Sequence, residues 1–501
     1  MTTNDIVGKL WNLCNVLKDD GVTYHQYVTE LTYLLFLKMM QETGGESELV
    51  IKQVGEDGEF VLDKNKQHVK VPGIRWENLI GAAAPQRLRM YEDMLRDYAR
   101  YGEGVVQEIY ANSSTFIKKP VTLSKLVTEI DKLDWYSVHR EDLGDLYEGL
   151  LEKNANEKKS GAGQYFTPRV LINSMVAVMK PELKDIIQDP AAGTGGFLIA
   201  ANHYLREHTK PESWTETQQK KYRNNTFYGM EHVQDTHRLA LMNLLLHGID
   251  GGIEYGDTLG DDGEKLCKQG ATLILSNPPF GTKKGGGLPS RTDFTYPTSN
   301  KQFAFLQHIY RGLKANGRAA VVLPDNVLFE SNVGSDIRRD LMDKCNLHTI
   351  LRLPTGIFYA QGVKTNVLFF TRGENDKGNT KEVWVYDLRA NMPQYGKRTQ
   401  LVRKHFIEFE AAFGDDPLGE AKTLAKRQDT GEQGRFRKFT REQIAARGDS
   451  LDIAWLKDDS DTSADELPEP AVLAQEAMGE LEAALDELRG ILEELGEEES
   501  A

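Results

Sequence analysis

Apolar residues in the first 150 positions recur at spacings of three and four, the pattern of helices that bury one face. The spacing is clearest in three segments, residues 6–17, 27–40 and 143–151. A short stretch at residues 59–62 instead has the character of a β-strand. No acid/base or metal-ligand constellation is evident among these residues. The pattern therefore predicts a helical accessory domain over residues 1–150.

Between residues 161 and 372 the pattern changes to short apolar runs that alternate with helix-compatible segments. The apolar runs predict buried strands at residues 186–189, 226–231, 271–276, 319–323 and 367–370. Predicted helices between them include residues 197–207 and 234–246. Strands buried on both faces and joined by helices indicate a largely parallel sheet in an α/β fold. We assign this pattern to a second domain over residues 151–375, with ligand chemistry expected at the carboxyl ends of its strands.

The C-terminal part divides into two segments. Residues 376–465 are polar and less regular, and we interpret them as an extension of the α/β domain. In the acidic segment of residues 466–501, apolar positions alternate at spacings of four and three. These positions are Ala474, Met478, Leu481, Leu485, Leu488, Leu492 and Leu495. They predict a helical or coiled-coil tail for subunit contact, or else a terminal helix on its own domain, and the sequence leaves this choice open.

Length and composition limit the class of protein. A chain of 501 residues exceeds what one core holds, roughly 250 to 300 residues, so two or three folded units are expected. No run of about 18 apolar residues occurs and the N-terminus lacks a signal-peptide pattern, so we expect a cytoplasmic protein with no membrane contact. The cysteines Cys14, Cys267 and Cys345 form no CxxC pair, and no metal site or disulfide framework is predicted.

The charge distribution is uneven. A formal net charge of -15 argues against a phosphate-binding protein. However, residues 458–501 are densely acidic, whereas residues 397–404 and 435–441 are basic. The net charge of the whole chain therefore does not exclude a basic surface that binds nucleic acid.

The first candidate site is a run of small residues where a predicted strand ends and a predicted helix begins. It consists of Asp189, Pro190, Ala191, Ala192, Gly193, Thr194, Gly195, Gly196 and Phe197. Glycines let the backbone approach a ligand closely, and a helix N-terminus offers free amide groups. The run is neither a P-loop nor a strict GxGxxG turn. It predicts a nucleotide-like cofactor or, in the plainer interpretation, only a tight connection.

Two acidic residues strengthen the cofactor interpretation. Glu231 ends a predicted strand, where a carboxylate can accept hydrogen bonds from both hydroxyls of a ribose. Asp257 follows a further short stretch and could accept a hydrogen bond from an adenine amine. Each alone is typical of a solvated loop, but their shared position at strand ends predicts a joint role.

The sharpest motif is Asn277-Pro278-Pro279-Phe280, directly after the apolar strand of residues 271–276. Two prolines stiffen the backbone and remove N–H donors, so the loop presents carbonyl oxygens. An amine that is being methylated needs such acceptors. The Asn277 side-chain oxygen and the Pro278 carbonyl are predicted to hold its two hydrogens and orient its lone pair. Phe280 is expected to stack on an extruded base.

The order of these motifs resembles the gamma group of amino-methyltransferases, and more narrowly the modification subunit of type I restriction–modification systems. The resemblance covers nearly the whole chain. It begins at Gln164, Tyr165, Phe166, Thr167, Pro168 and Arg169. It implies a Rossmann-like methyltransferase sheet with helices on both faces, a helical N-terminal domain and a helical tail. It also implies that residues 164–169, residues 194–196 and Glu231 bind S-adenosyl-L-methionine, while residues 277–280 receive adenine.

The same resemblance implies an adenine-N6 DNA methyltransferase that leaves sequence recognition to another subunit. The chain has no helix-turn-helix or zinc-finger signature, and residues 281–299 offer only a short Gly/Lys/Ser/Thr loop. The implied partners are double-stranded DNA, a specificity subunit shared by two modification subunits, and a restriction subunit with translocase activity.

The residues alone leave two alternatives open. The same amine-holding loop would serve methylation of a protein glutamine or an RNA base. A chain that had lost transfer activity would be a DNA-clamping assembly subunit. The segment of residues 164–169 favours DNA adenine, and the intact Asn277 and glycine run favour a working enzyme.

Overall fold

The computed structural model describes most of the chain. The described residues are 3–13, 17, 21–22, 24–133, 135, 142–157, 167–249, 252–281, 287–358, 364–393, 395 and 399–456. Residues 164–166 and the tail of residues 466–501, both singled out from the sequence, lie outside them. None of the described helices is both long and apolar enough to cross a membrane.

Helices make up most of the N-terminal region, as its apolar spacing predicts. They are α1 (Thr3–Asn12), α2 (Tyr24–Glu42), α3 (Trp76–Gly81), α4 (Ala84–Tyr101), α5 (Gly104–Tyr110), α6 (Pro120–Asp131) and α7 (Asp142–Glu157). Two short antiparallel strands, β1 (Val50–Lys52) and β2 (Lys70–Pro72), interrupt them. The strand-like stretch of residues 59–62 lies between these strands and contributes only isolated bridges. The buried faces of the helices meet in one hydrophobic core.

The α/β region contains a nine-stranded sheet. Its strands are β3 (Ile187–Asp189), β4 (Phe227–Glu231), β5 (Ile253–Tyr255), β6 (Ala271–Ser276), β7 (Leu313–Pro324), β8 (Cys345–Arg352), β9 (Thr365–Arg372), β10 (Glu382–Asp387) and β11 (Phe436–Thr440). Its helices are α8 (Arg169–Met179), α9 (Gly196–Thr209), α10 (Glu216–Asn225), α11 (Gln234–Leu246), α12 (Asp261–Gln269), α13 (Lys301–Gly312), α14 (Asn326–Phe329), α15 (Val333–Lys344), α16 (Ile407–Phe413), α17 (Ala421–Leu424) and α18 (Arg441–Ala446). The predicted α/β class is confirmed.

The sheet is more mixed than the sequence predicts. Its strand order is β11-β10-β8-β9-β7-β6-β3-β4-β5. Neighbours from β5 to β7 pair in parallel, as expected, but β9 is antiparallel to both β7 and β8, and β11 is antiparallel to β10. A parallel return needs a crossover of a dozen or more residues, usually a helix. No helix is described between β8 and β9, where Pro354 lies, so β9 returns antiparallel to β8.

The segment described above as polar and less regular, residues 376–465, contributes β10 and β11 to this same sheet. Strand β11 reads Phe-Arg-Lys-Phe-Thr and lies at the sheet edge. Charged side chains are common on edge strands, where they hinder pairing with other chains. The sequence of β11 therefore has no apolar run from which a strand could be predicted.

Side chains of the sheet alternate between two cores. On β6, Leu273 and Leu275 enter a core shared with α8, α9 and α16. Ile274, between them, enters a core shared with α13 and α15 on the opposite face. Helices thus cover both faces of the sheet, as the resemblance implies.

Helix α11 joins the N-terminal helices to the α/β region. Its residues Leu241 and Met242 belong to the N-terminal core. Its buried Arg238 donates through Nε to the carbonyl of Ile109 at 2.6 Å and through Nη2 to the carbonyl of Ala111 at 2.8 Å. Because a buried guanidinium must satisfy its donors, these bonds hold the C-terminal end of α5 against α11.

A buried ion pair joins β7 to the segment before β3. Arg318 donates to the two carboxylate oxygens of Asp185 at 3.2 and 2.9 Å. It also donates to the carbonyl oxygens of Met179 and Lys180, both at 2.8 Å. Burial on its own raises the pKa of Asp185, but Arg318 brings that pKa below its ordinary value. The pair thus fixes the end of α8 to the sheet.

We expect Arg318→Met to lower the free energy of unfolding by about 3–5 kcal/mol, because it leaves a buried carboxylate without its partner. Urea denaturation followed by intrinsic fluorescence measures the loss. The exposed Arg223→Met is the matched control and should change stability by less than about 0.5 kcal/mol. A loss for Arg318→Met as small as that of the control would contradict this role for the ion pair.

Candidate functional site

The glycine-rich turn lies where β3 ends at Asp189 and α9 begins at Gly196. Gly193 and Gly195 adopt positive φ angles of 55° and 82°, which favour glycine. A Cβ added to Gly195 would lie 2.3 Å from Cδ1 of Leu244 on α11. The glycine at this position is therefore required both by the backbone conformation and by the close approach of α11.

Two side chains from neighbouring elements hold this turn. Asn243 on α11 donates through Nδ2 to the carbonyl of Thr194 at 2.9 Å. Arg169, the first residue of α8, donates through Nη1 to the carbonyl of Gly196 at 3.1 Å and forms an ion pair with Glu148 on α7. Burial lowers the pKa of Arg169 to about 10, so the guanidinium stays charged at neutral pH. The turn is thus connected through Arg169 to the N-terminal helices.

Other residues of the predicted cofactor set support the turn from within. The Ala191 amide donates to Oδ1 of Asp189 at 3.1 Å. Phe197 is buried in the core beneath the sheet. Pro168 directly precedes α8, and its carbonyl accepts the amide of Leu171 at 2.9 Å. Of these three residues, Phe197 packs in the core, whereas Ala191 and Pro168 form local hydrogen bonds at the start of the turn and of α8.

Glu231, the last residue of β4, connects its strand to the glycine turn. Its Oε2 accepts the amide of Gly193 at 2.9 Å, and its Oε1 accepts the amide of Val233 at 2.8 Å. An ionised carboxylate can accept about four hydrogen bonds, so two such contacts leave capacity for ligand hydroxyls. Burial raises the pKa of Glu231 in spite of these bonds.

The loop after β5 joins the same edge of the sheet. The Gly256 amide donates to the carbonyl of Glu231 at 3.1 Å, and the Thr258 hydroxyl donates to the carbonyl of Pro190. The Asp257 side chain accepts a hydrogen bond within its own loop, from the amide of Leu259 at 2.9 Å. The backbone of this loop is therefore tied to the turn, while the Asp257 carboxylate shapes the loop itself.

Parallel pairing places the end of β6 beside the end of β3. The Ser276 hydroxyl donates to Oδ1 of Asp189 at 2.8 Å and closes the gap between the two strand ends. Asp189 is 1% exposed, and burial raises its pKa to about 7. This carboxyl group is therefore close to its point of ionisation at neutral pH.

The Asn277-Pro278-Pro279 loop leaves β6 directly after this contact. Asn277 is 7% exposed, and its Nδ2 donates to Oγ1 of Thr167 at 2.9 Å. This bond sets the orientation of the amide plane and brings the segment before α8 to the loop. The structure thus brings together two motifs that are 110 positions apart in the chain.

The end of the loop is held by residues that the sequence did not single out. Phe280 meets the ring of Phe358 edge to face, with centroids 6.4 Å apart at 76°. The Gly281 amide donates to Oε1 of Gln302 on α13 at 2.9 Å, and the Gly281 carbonyl accepts the amide of Lys301 at 3.0 Å. Neither Phe358 nor Gln302 is among the site residues predicted from the sequence, because each meets the loop only through a tertiary contact.

Known protein families match the chain along nearly its full length. Residues 138–463 match the family described as N-6 DNA Methylase. Residues 6–130 match the HsdM N-terminal domain, and residues 467–501 match the C-terminal domain of the type I restriction enzyme methylase subunit.

Individual proteins that are similar to the chain point to the same family as these models. The type I restriction enzyme EcoKI methylase subunit of Escherichia coli strain K12 is 48% identical over 537 residues, which cover 100% of this chain and 97% of that protein. The StySJI methylase subunit of Salmonella typhimurium strain LT2 is 48% identical over 535 residues, covering 99% and 96%. The crystal structure of the EcoKI M protein aligns with a TM-score of 0.55 and 44% identity over 99% of this chain and 97% of that one. The methyltransferase subunit from Streptococcus thermophilus, at 21% identity, a TM-score of 0.69 and coverage of 91% and 100%, shares the fold.

The fold and these matches define the class of N6-adenine DNA methyltransferases. Within that class, the chain belongs to the family of type I restriction enzyme methylase subunits. The sequence-based recognition of this family is therefore confirmed. The alternatives of a protein-glutamine or RNA methyltransferase and of a non-catalytic clamp are not favoured.

The raised pKa of Asp189 predicts a pH dependence of stability. The folded chain retains a proton on Asp189 that the unfolded chain releases above about pH 4, so stability falls as pH rises toward the folded pKa of about 7. We expect Asp189→Asn, which cannot ionise, to gain stability relative to the unaltered chain between about pH 5 and about pH 8. Urea denaturation across this range measures the difference. A stability difference between Asp189→Asn and the unaltered chain that does not change with pH would refute the burial of an ionising group.

Proposed function

We propose that this chain transfers a methyl group from S-adenosyl-L-methionine to the N6 amine of an adenine that has been flipped out of double-stranded DNA. The observation that carries the proposal is the pair of hydrogen bonds around the end of β6. Ser276 joins Asp189, and Asn277 joins Thr167, so the amine-holding loop starts at the edge that bears the glycine turn. This connection supports a cofactor site and an acceptor site that lie side by side.

The cofactor site is proposed at the carboxyl ends of β3, β4 and β5. Amides of the glycine turn, residues 193–196, are suited to the methionine part of the cofactor. Glu231 is suited to the ribose hydroxyls, because its carboxylate retains acceptor capacity beside the turn. Asp257 is assigned to the adenine amine of the cofactor. The segment of residues 164–169 is assigned to the same cofactor site, in keeping with the family resemblance. Of its described residues, Thr167 lies beside Asn277.

The chemical step needs acceptors for an amine that becomes positively charged. When bound, S-adenosyl-L-methionine would supply an electrophilic methyl group; its transfer to N6 would leave a neutral thioether and release one N6 proton to solvent water. The Asn277 side-chain oxygen and the Pro278 carbonyl accept the N6 hydrogens and direct the nitrogen lone pair. The bond from Asn277 Nδ2 to Thr167 supports this role, because it keeps the amide from rotating. Phe280 provides a stacking face for the base.

Sequence recognition is proposed to come from a separate specificity subunit, shared by two copies of this chain, with a restriction subunit that translocates DNA. The net charge of -15 supports this division, because an acidic chain gains little from phosphate contacts alone. The matched C-terminal family segment, residues 467–501, is proposed as a contact to these partners.

Substitution of Asn277 tests the chemistry. In a complex reconstituted with its specificity subunit, we expect Asn277→Ala to lose nearly all transfer of labelled methyl groups to duplex DNA, while the dissociation constant for the cofactor changes by less than about fivefold, because the residue holds the target amine. Mass analysis of digested nucleosides and calorimetry measure these quantities. The exposed Asn224→Ala is the control and should retain activity. An equal collapse of cofactor affinity, or label in RNA or protein in place of N6-methyladenine, would overturn the assignment.

The proposed division of labour predicts weak DNA binding by the isolated chain. Anisotropy of a labelled duplex should show only salt-sensitive, sequence-independent binding, and sequence preference should appear when the specificity subunit is added. Scrambled duplexes of equal length and charge serve as the control. Tight binding of one sequence by the chain alone would contradict delegated recognition.

A further inference from the structure

Away from the strand ends, three side chains meet where the N-terminal helices contact the α/β region. Asp145 lies on α7, His203 lies on α9, and His247 directly follows α11. One carboxylate oxygen and one nitrogen of each imidazole lie within 4.8 Å of one another. The three residues are far apart in sequence, which is why no ligand spacing could reveal them.

The His247 ring presents an unused lone pair to this cluster. Its side chain is 1% exposed, and its Nδ1 lies 2.8 Å from the carbonyl oxygen of Asn243. A carbonyl can only accept, so Nδ1 carries the hydrogen and Nε2 of the neutral ring is an acceptor. Nε2 has no hydrogen-bond partner among the described residues, and the nearest carboxylate oxygen, from Asp145, is 3.6 Å away. This distance is too long for a hydrogen bond. It also places two hydrogen-bond acceptors next to each other, which is unfavourable unless a cation lies between them.

The surroundings hold this ring in place. A Cβ added to Gly144 would lie 2.6 Å from Nε2 of His247, so the absence of a side chain there lets α7 approach the imidazole. Asn202 donates through Nδ2 to the carbonyl of His247 at 3.2 Å. The next residue along α9, His203, has its ring centroid 5.1 Å from that of His247. His247 is therefore held by contacts with residues of α7 and α9.

We propose that Asp145, His203 and His247 form a site for a divalent late first-row transition metal ion, such as Zn²⁺, which joins α7 to α9 and α11. Two imidazoles and one carboxylate are a donor set that Zn²⁺ takes in proteins, with water at the fourth position. Metal–ligand distances of about 2.0–2.1 Å in a tetrahedron separate neighbouring ligand atoms by roughly 3.4 Å. The 3.6 Å between Asp145 and His247 is close to that edge. A hydrogen bond from the second ring nitrogen to a carbonyl is also typical of a metal-bound histidine.

Such a site would stabilise the contact between the two regions of the chain. Helix α7 already carries Glu148, which pairs with Arg169, and Arg169 in turn donates to the carbonyl of Gly196. The metal would add a second link between α7 and α9, independent of the methyl-transfer chemistry. The proposed role of the metal is therefore to attach the N-terminal helices to the α/β region. Occupancy of the site by the metal can be measured without an activity assay.

The test uses the full chain without a polyhistidine tag, stripped with EDTA and desalted. Calorimetric titration with ZnCl₂ should show one tight site per chain, and titration with MgCl₂ should show none. Substitution of either exposed ligand, Asp145→Ala or His203→Ala, should weaken zinc binding by more than about tenfold and remove the zinc-dependent rise in melting temperature. The matched control is His208→Ala, an exposed histidine on the same helix.

Spectroscopy with Co²⁺ adds an independent readout, because tetrahedral coordination by imidazole gives visible absorption that the His203→Ala chain should lack. Both substituted ligands are exposed, so the variants should stay folded, and circular dichroism verifies this. Failure of the unaltered chain to bind zinc would overturn the proposal. Zinc binding that is equal in His203→Ala and His208→Ala would overturn it as well.

Discussion

The candidate site depends on one constraint, the parallel pairing of β3 with β4 on one side and with β6 on the other. In parallel strands the carboxyl ends meet at one edge, so Asp189, Glu231 and Ser276 come together although they belong to separate motifs. Hydrogen bonds then join Gly193 to Glu231, which are 38 positions apart in the chain, and Ser276 to Asp189, which are 87 positions apart. The glycine turn after β3 and the Asn277-Pro278-Pro279 loop after β6 both leave the sheet at this edge. The pairing of the strands therefore sets the direction in which each loop begins.

This arrangement buries acidic groups beside a glycine turn. Burial raises the pKa of Asp189 to about 7 and raises the pKa of Glu231 as well, so ionisation of this edge is opposed in the unliganded chain. A nearby positive charge favours the ionised form of a carboxyl group. The sulfonium of the proposed cofactor carries such a charge. Binding of such a charge at this edge would therefore lower the pKa of both carboxyl groups.

The N-terminal helices take part in shaping the same edge. Helix α11 contributes Leu241 to their core and places Leu244 against Gly195 of the turn. Helix α7 reaches the turn through Glu148 and Arg169. The N-terminal helices are therefore in direct contact with the elements that hold the glycine turn.

Local patterns of the sequence predicted the β6 strand at residues 271–276, the glycine turn and the proline-stiffened loop, because periodicity and backbone stiffness depend on neighbours a few positions away. They did not predict β8 or the edge strand β11. They also carried the family resemblance. Only the tertiary structure decided that β9 runs antiparallel, that Thr167 meets Asn277, and that Asp145 lies beside His247. Those facts depend on which strands and helices pack together, and the free energy of that packing comes from side chains far apart in the chain.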